Sequence, residues 1–252
     1  MLDFLKLQTY DLTLVDYFNN NELLVWVSET EKIKHFDNEV ITTKKVKQYK
    51  GILFCFFTNR VDILFKPHYY YNNNLHNAND FNIIDCINVV QEFKNVLKID
   101  LNLLKVVNIE FGLNVLPPIN IKDLITYIAY HEKNEFRTDA NLPYSKKSYT
   151  INKKGIANKY KILKAYAKGI QHPNYCNSDT FRFEVKSKEY KYCKNELSIY
   201  TANDLINVEV YYKMSNIIIK EFKEVLLLDC VTNFKILNPK ELKKVNQYLN
   251  PY

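Results

Sequence analysis

The residues whose spacing carries the most chemistry are Arg182, Glu184 and Lys186 in the run Phe181-Arg182-Phe183-Glu184-Val185-Lys186. Strict alternation puts them on one face of a strand and Phe181, Phe183 and Val185 on the other. Upstream, Val107, Ile109, Phe111 and Leu113 form one parity of a second strand, with Asn108, Glu110 and Gly112 opposite. In Lys161–Lys168 the polar parity holds Lys164, Tyr166 and Lys168. Three such strands in one sheet would present two carboxylates, Glu110 and Glu184, beside a tyrosine and several cations. That group is equipped to hold a divalent metal and attack a phosphodiester: the cation polarises the phosphate while an aligned hydroxyl attacks in line. The competing reading is a half-exposed sheet whose outer face is merely charged, each Glu pairing with a Lys across the ladder. His68 shares the parity of Asp62, Leu64 and Lys66, so it is a candidate third metal ligand with Glu110 and Glu184. Beside Pro67 it equally suits a structural role.

The elements that must position these residues are legible as patterns. Leu2–Gln8 alternates as a strand, Leu23–Val27 reads as another, and Gly51–Thr58 with Val61–Phe65 as a hairpin turning at Asn59-Arg60. Tyr69–Asn74 reads as a loop. Asn79-Asp80 offers an N-cap for a helix over Phe81–Leu97, with Ile83, Cys86, Ile87, Val90, Phe93 and Leu97 on its buried side. Pro117-Pro118 ends the Glu110 strand and marks a hinge, predicting lobes at 1–118 and 119–252. Beyond it come a helix over Ile121–His131, a polar irregular stretch from Asn134 to Ser148, strands at Lys161–Lys168 and Thr180–Lys186 joined by a turn-rich Gly169–Asp179, and helical spacing over Val208–Leu226. The lobes share a strand–helix–strand grammar. The expected fold is therefore α+β, antiparallel sheets covered by helices, arranged as two related lobes.

Composition narrows the function classes. The 252 residues are 47% hydrophobic, enough for a real core, and carry a formal charge of +7, which fits an anionic partner. Arginine occurs only at Arg60, Arg137 and Arg182. With abundant Asn, Ile and Tyr, this lysine bias has the look of AT-rich coding, which discounts part of the basic balance. Glycine occurs only at positions 51, 112, 155 and 169, so no Gly-rich phosphate loop exists, which argues strongly against P-loop ATPase, kinase and dinucleotide-binding readings; no nucleotide cofactor is expected. The five cysteines form no C-x-x-C pair, arguing against a disulfide framework or a Cys-based zinc site. No signal peptide or bilayer-length apolar run is visible, so a cytoplasmic protein without membrane contact is expected.

Several phrases resemble a known group: His68–Asn72 followed by Leu75-His76-Asn77-Ala78-Asn79-Asp80-Phe81, then Asn108-Ile109-Glu110-Phe111-Gly112-Leu113-Asn114, the Tyr-x-Lys of Lys164–Gly169, Phe181–Lys186, and Thr201-Ala202-Asn203-Asp204-Leu205. Together they resemble phage and plasmid replication proteins of Bacteroidetes-type bacteria over roughly residues 40–250. More distantly, the Tyr-x-Lys strand followed by an Arg-Phe-Glu strand resembles the rolling-circle initiators, including the filamentous-phage replication-associated family. The resemblance implies a magnesium- or manganese-dependent endonuclease that nicks single-stranded DNA at a replication origin in a bacterial host cytoplasm and stays linked through a phosphotyrosine. Such initiators commonly carry His-x-His on a central strand. Here the histidines are scattered at 35, 68, 76, 131 and 172. Branches that use carboxylates instead would be matched by Glu110 and Glu184. Relatives of this type continue past an Asn-Pro stretch, so Asn250-Pro251-Tyr252 is expected to end a shortened chain.

Tyr166 is the preferred nucleophile, because it shares the parity of Lys164 and Lys168 in the strand before Glu184. Tyr190 and Tyr192 are the alternates on the resemblance, with Tyr160, Tyr211 and Tyr212 further behind; a cross-strand packing role competes for any of the 20 tyrosines. Lys161, Lys164, Lys168, Arg182 and Lys186 are expected to contact DNA, and Tyr144–Tyr149 with Lys146-Lys147 to stack bases beside a cationic track. The alternatives are a non-catalytic single-stranded nucleic-acid-binding protein of the same fold, and a structural or host-interaction protein.

Overall fold

A computed structural model describes residues 1–33, 40–140, 142–228 and 237–249. In chain order the elements are β1 (Leu2–Thr9), α1 (Leu12–Asn20), β2 (Val25–Ile33), β3 (Val40–Tyr49), β4 (Ile52–Phe57), β5 (Arg60–Phe65), α2 (Pro67–Tyr71), α3 (Ile83–Leu97) and β6 (Lys105–Val115). There follow α4 (Ile121–Tyr127), β7 (Ile128–His131), β8 (Asn134–Glu135), β9 (Arg137–Thr138), β10 (Ser145–Ile151), β11 (Ala157–Ala167), α5 (Lys168–Gln171), β12 (Phe181–Ser187), α6 (Tyr190–Leu197), α7 (Val208–Lys223), β13 (Val225–Leu227) and α8 (Pro239–Leu249). The protein is α+β, with antiparallel sheets and helices packed on them. Packing groups residues 1–111 with 187–214, and 112–186 with 215–252, where the sequence suggested 1–118 and 119–252; the boundaries fall inside β6 and α7.

In the first unit the strands run in the order β2-β3-β4-β5-β1-β6. The β3–β4 hairpin turns on Lys50 and Gly51, both at positive φ, the two-residue geometry whose twist matches that of the strands. Helices cover this sheet through aromatic contacts: Phe18 of α1 lies 5.1 Å from Phe54, and Phe93 of α3 stacks on Phe65 at 5.0 Å between ring centres. α3 begins at a reciprocal capping box between Asn82 and Asp85, two residues beyond the expected cap. Its buried side is Cys86, Val89, Val90, Phe93 and Leu97. The expected loop at Tyr69–Asn74 is partly helical, because Pro67 at the first helical turn presets φ and α2 forms.

In the second unit the order is β6-β12-β11-β10-β9, with a smaller sheet β13-β7-β8. Three expectations change here. The helix expected to reach His131 stops at Tyr127, because Ile128–His131 pairs with β13 and β8, and sheet pairing overrides helical spacing. For the same reason the helical pattern up to Leu226 ends at Lys223. The polar stretch 134–148 contains β8, β9 and the start of β10, which pairs with both β9 and β11.

Among the described residues no cysteine is in a disulfide, and no helix is long and apolar enough to cross a membrane. His35, Cys230 and the segment Asn250-Pro251-Tyr252, with its expected shortening, lie outside the described residues.

Candidate active site

The polar parities of β11 and β12 meet across their ladder. Antiparallel pairing sets Lys164 opposite Glu184 and Tyr166 opposite Arg182, and directly opposed side chains share a face. Glu184 is the hub. Its Oε1 accepts from the Tyr166 hydroxyl at 2.5 Å and from Arg182 Nε at 2.6 Å, while Oε2 accepts from Lys164 Nζ at 3.2 Å. Arg182 also donates from Nη1 to Asn114 Oδ1 on β6 at 2.6 Å. Lys168 is buried at the start of α5, its Nζ 5.5 Å from the centre of the Tyr166 ring. Glu184 is 2% exposed and Tyr166 7%, so these charge-assisted bonds act where water screens little. The face that alternation marks as polar is thus covered rather than solvated.

Gly112 makes the close approach feasible. A Cβ at this position would lie 2.6 Å from the Phe183 carbonyl oxygen and 2.7 Å from Glu184 Cγ. The absent side chain gives Glu184 its room.

The opposite face of β12 is apolar and packs on α7, where Phe222 meets Phe181 and Phe183 at 6.0 and 5.2 Å between ring centres. Lys161 belongs to this parity. Its Nζ donates to both Glu221 oxygens, at 3.0 and 2.8 Å, and His131 Nε2 lies 2.8 Å from Glu221 Oε2. Burial alone would push the Glu221 carboxyl up; the neighbouring Lys161 and His131 side chains prevail and hold it below the usual carboxylate range. Lys161 therefore sits away from Glu184, on the helix-covered side.

The metal-ligand candidates Glu110 and His68 and the alternate tyrosines Tyr190 and Tyr192 belong to the first unit. Glu110 is buried on β6, opposite Phe4 of β1. His68 is buried in α2, its ring stacked on Phe81 at 4.6 Å. Its Nε2–H donates to Asn79 Oδ1 at 2.9 Å, and Nδ1 lies 3.5 Å from Asp3 Oδ1. Tyr192 is buried, and half-buried Tyr190 lies under Lys105, whose Nζ is 3.6 Å from the ring centre.

At Glu184 an incoming hard cation would meet two fixed positive charges: Arg182 lies against one carboxylate oxygen and Lys164 against the other, and together they already outweigh the single negative charge of the carboxylate.

Solvated positive charge lies elsewhere in the second unit. Lys153, Lys154 and Lys159 are exposed at the β10–β11 turn, which Asn152 closes by accepting from the Lys154 and Ile156 amides. Arg137 lies over the Tyr149 ring at 5.3 Å and Lys122 over the Tyr144 ring at 5.4 Å. Lys146 instead turns to the carbonyls of Thr126 and Ile128. Lys186, at the end of the Glu184 face, is half-buried.

Sequence reasoning passed over Asn114, His131 and Glu221. Asn114 stands on the Glu110 parity, which was its one available signal. His131 and Glu221 are 90 residues apart, without any motif joining them.

No protein-family model and no curated protein matches the chain. Among solved structures, that of a rolling-circle replication initiator protein from Geobacillus stearothermophilus aligns over 98% of this chain and 95% of that one, with a TM-score of 0.43 and 9% identity. A likeness at that level assigns no function.

Proposed function

We propose that the chain is a replication initiator of a phage or mobile element that nicks and rejoins single-stranded DNA through Tyr166. The observation carrying this reading is the 2.5 Å hydrogen bond from the Tyr166 hydroxyl to Glu184, inside a ring of Lys164, Arg182 and Lys168. A phenol becomes a nucleophile when a base takes its proton, and Glu184 is placed to do so. The Tyr166 oxygen then bonds to phosphorus as the bond to the leaving deoxyribose oxygen breaks. The proton passes from Glu184 to that oxygen. Rejoining runs the same step backwards. Lys164 and Lys168 are the groups suited to hold the extra phosphate charge that builds up on the way. Arg182, fixed by Asn114 and Glu184, is a positioning residue.

The resemblance implies Mg or Mn, with Glu110 and His68 as candidate side chains to hold such an ion. Exposed Lys153, Lys154 and Lys159 are suited to track a phosphate backbone, with Tyr144 and Tyr149 offering ring faces for bases.

One observation favours a second reading, a non-catalytic single-stranded nucleic-acid-binding protein: Tyr166 is buried, so a phosphate reaches it only if the cover over the β11–β12 face opens. The test is incubation with single-stranded oligonucleotides spanning the element's origin, with manganese and with chelator, followed by denaturing gel analysis for a covalent adduct. An adduct lost in Tyr166→Phe and kept in Tyr190→Phe and Tyr192→Phe supports the nicking reading; an undiminished adduct in Tyr166→Phe ends it. Salt-sensitive binding without any adduct selects the second reading.

A further inference from the structure

We propose that His131, Glu132 and Glu221 form a site for one divalent transition-metal ion of the zinc class, which ties β7 to α7 within the second unit. One ligand atom from each residue lies within 4.8 Å of the others. The donor set, one imidazole nitrogen and two carboxylates, suits zinc-class ions and leaves a fourth position for water.

The independent pointer is His131 itself. The residue is 2% exposed, and its Nε2 has no aligned hydrogen-bond partner even though Glu221 Oε2 is only 2.8 Å away. A buried ring nitrogen without a well-directed partner is costly in an ion pair. Two donor atoms close together but not aimed at one another are what shared ligation of a third atom requires. Ligand atoms on a tetrahedral zinc stand about 3.3 Å apart, given zinc–ligand distances of roughly 2.0–2.2 Å. His131 and Glu221 are therefore near that separation, and exposed Glu132 needs only a side-chain rotation to join them.

Glu221 is not barred from this role by Lys161. The ammonium spans both carboxylate oxygens, and each oxygen keeps a second lone pair, so Oε2 can serve a metal on its outer side. Lys161 nonetheless places a positive charge beside the ion and should weaken binding. With neutral His131, the group Glu132, Glu221 and Lys161 sums to −1, and a divalent ion brings it to +1. A cavity of about 210 Å³ opens beside Glu132, bordered by Lys133, Lys244 and Gln247.

This site is separate from Tyr166 and Glu184 and does not rest on the nicking reading. The experiment titrates chelator-stripped full-length protein with Zn²⁺ by calorimetry and with Co²⁺ by visible absorption, and measures the melting temperature with and without Zn²⁺. One equivalent binds, Co²⁺ gives the d–d bands of a four- or five-coordinate ion, and Zn²⁺ raises the melting temperature. Glu132→Gln, an exposed change that leaves the fold intact by circular dichroism, raises Kd by about tenfold or more. Lys161→Met lowers Kd. Absence of saturable binding at one equivalent overturns the proposal. So does binding that Glu132→Gln and Glu221→Gln both leave unchanged, which would place the metal on thiols or other histidines.

Discussion

Replacing Glu184 by glutamine keeps the shape of the hub and removes its charge. In the native protein the donors to Glu184 include the Tyr166 hydroxyl at 2.5 Å, Arg182 Nε at 2.6 Å and Lys164 Nζ at 3.2 Å. Hydrogen bonds to charged groups contribute about 1.5–3 kcal/mol each, neutral ones about 0.5–1.5. Converting two cation–carboxylate bonds to cation–amide bonds thus costs about 2 kcal/mol. Arg182 adds to this, because it is 1% exposed and loses this carboxylate; breaking a buried pair from one side costs about 3–5 kcal/mol in all. Lys164 is 19% exposed and relaxes toward water, so the lower end, about 3 kcal/mol, is the expected destabilisation. For a chain of this size that is a fall in Tm of about 6–12 °C. The assay is urea unfolding followed by far-UV circular dichroism and by tyrosine fluorescence, because coincident curves are needed before a single free energy is fitted to two packed units. The double variant Arg182→Met with Glu184→Gln should be destabilised by less than the sum of the single changes, with a coupling of about 1–3 kcal/mol. A Glu184→Gln protein within about 1 kcal/mol of wild type, or additive single changes, would refute the claim that this cluster holds β11 to β12.

Three further outcomes are expected. Gly112→Ala brings a Cβ within 2.6 Å of the Phe183 carbonyl and 2.7 Å of Glu184, so it should lower stability by about 1–3 kcal/mol; an unchanged urea midpoint would contradict the close approach. Burial alone would raise the Asp62 carboxyl, but hydrogen bonds from Lys6 and Gln8 and the charges of Lys6 and Arg60 hold it below its usual 3.8. The stability it contributes is then complete above about pH 4 and is lost as pH falls through the depressed folded value, and Asp62→Asn should flatten that acid-side loss in urea midpoints between about pH 5 and 2. Burial pushes the Cys193 thiol up to about 12, so iodoacetamide at about pH 8 should modify half-buried Cys176 first, and equal rates at the two sites by peptide mapping would count against it.

The alternation of Lys164, Tyr166, Arg182 and Glu184 is local information, since a strand's period of two assigns each side chain to a face before any partner is known. Sequence also carried the hairpin of Gly51–Thr58 with Val61–Phe65, the helix ending at Leu97 and the α+β character, all set by turn chemistry and apolar spacing within a few residues. Register was not available in this way. That Lys164 meets Glu184 and Tyr166 meets Arg182 follows from how two strands joined by a 13-residue connection align, and a slip of one residue would have reversed every face. Burial of the polar face was equally hidden, because alternation distinguishes two faces without saying what covers either. The helix-to-strand change at Ile128 depends on β13, nearly a hundred residues later, and local propensity yields to that pairing. His131 and Glu221 lay in segments read as helical and carry no shared motif. Only tertiary packing, which buries opposite charges together because water is excluded there, brought them to 2.8 Å.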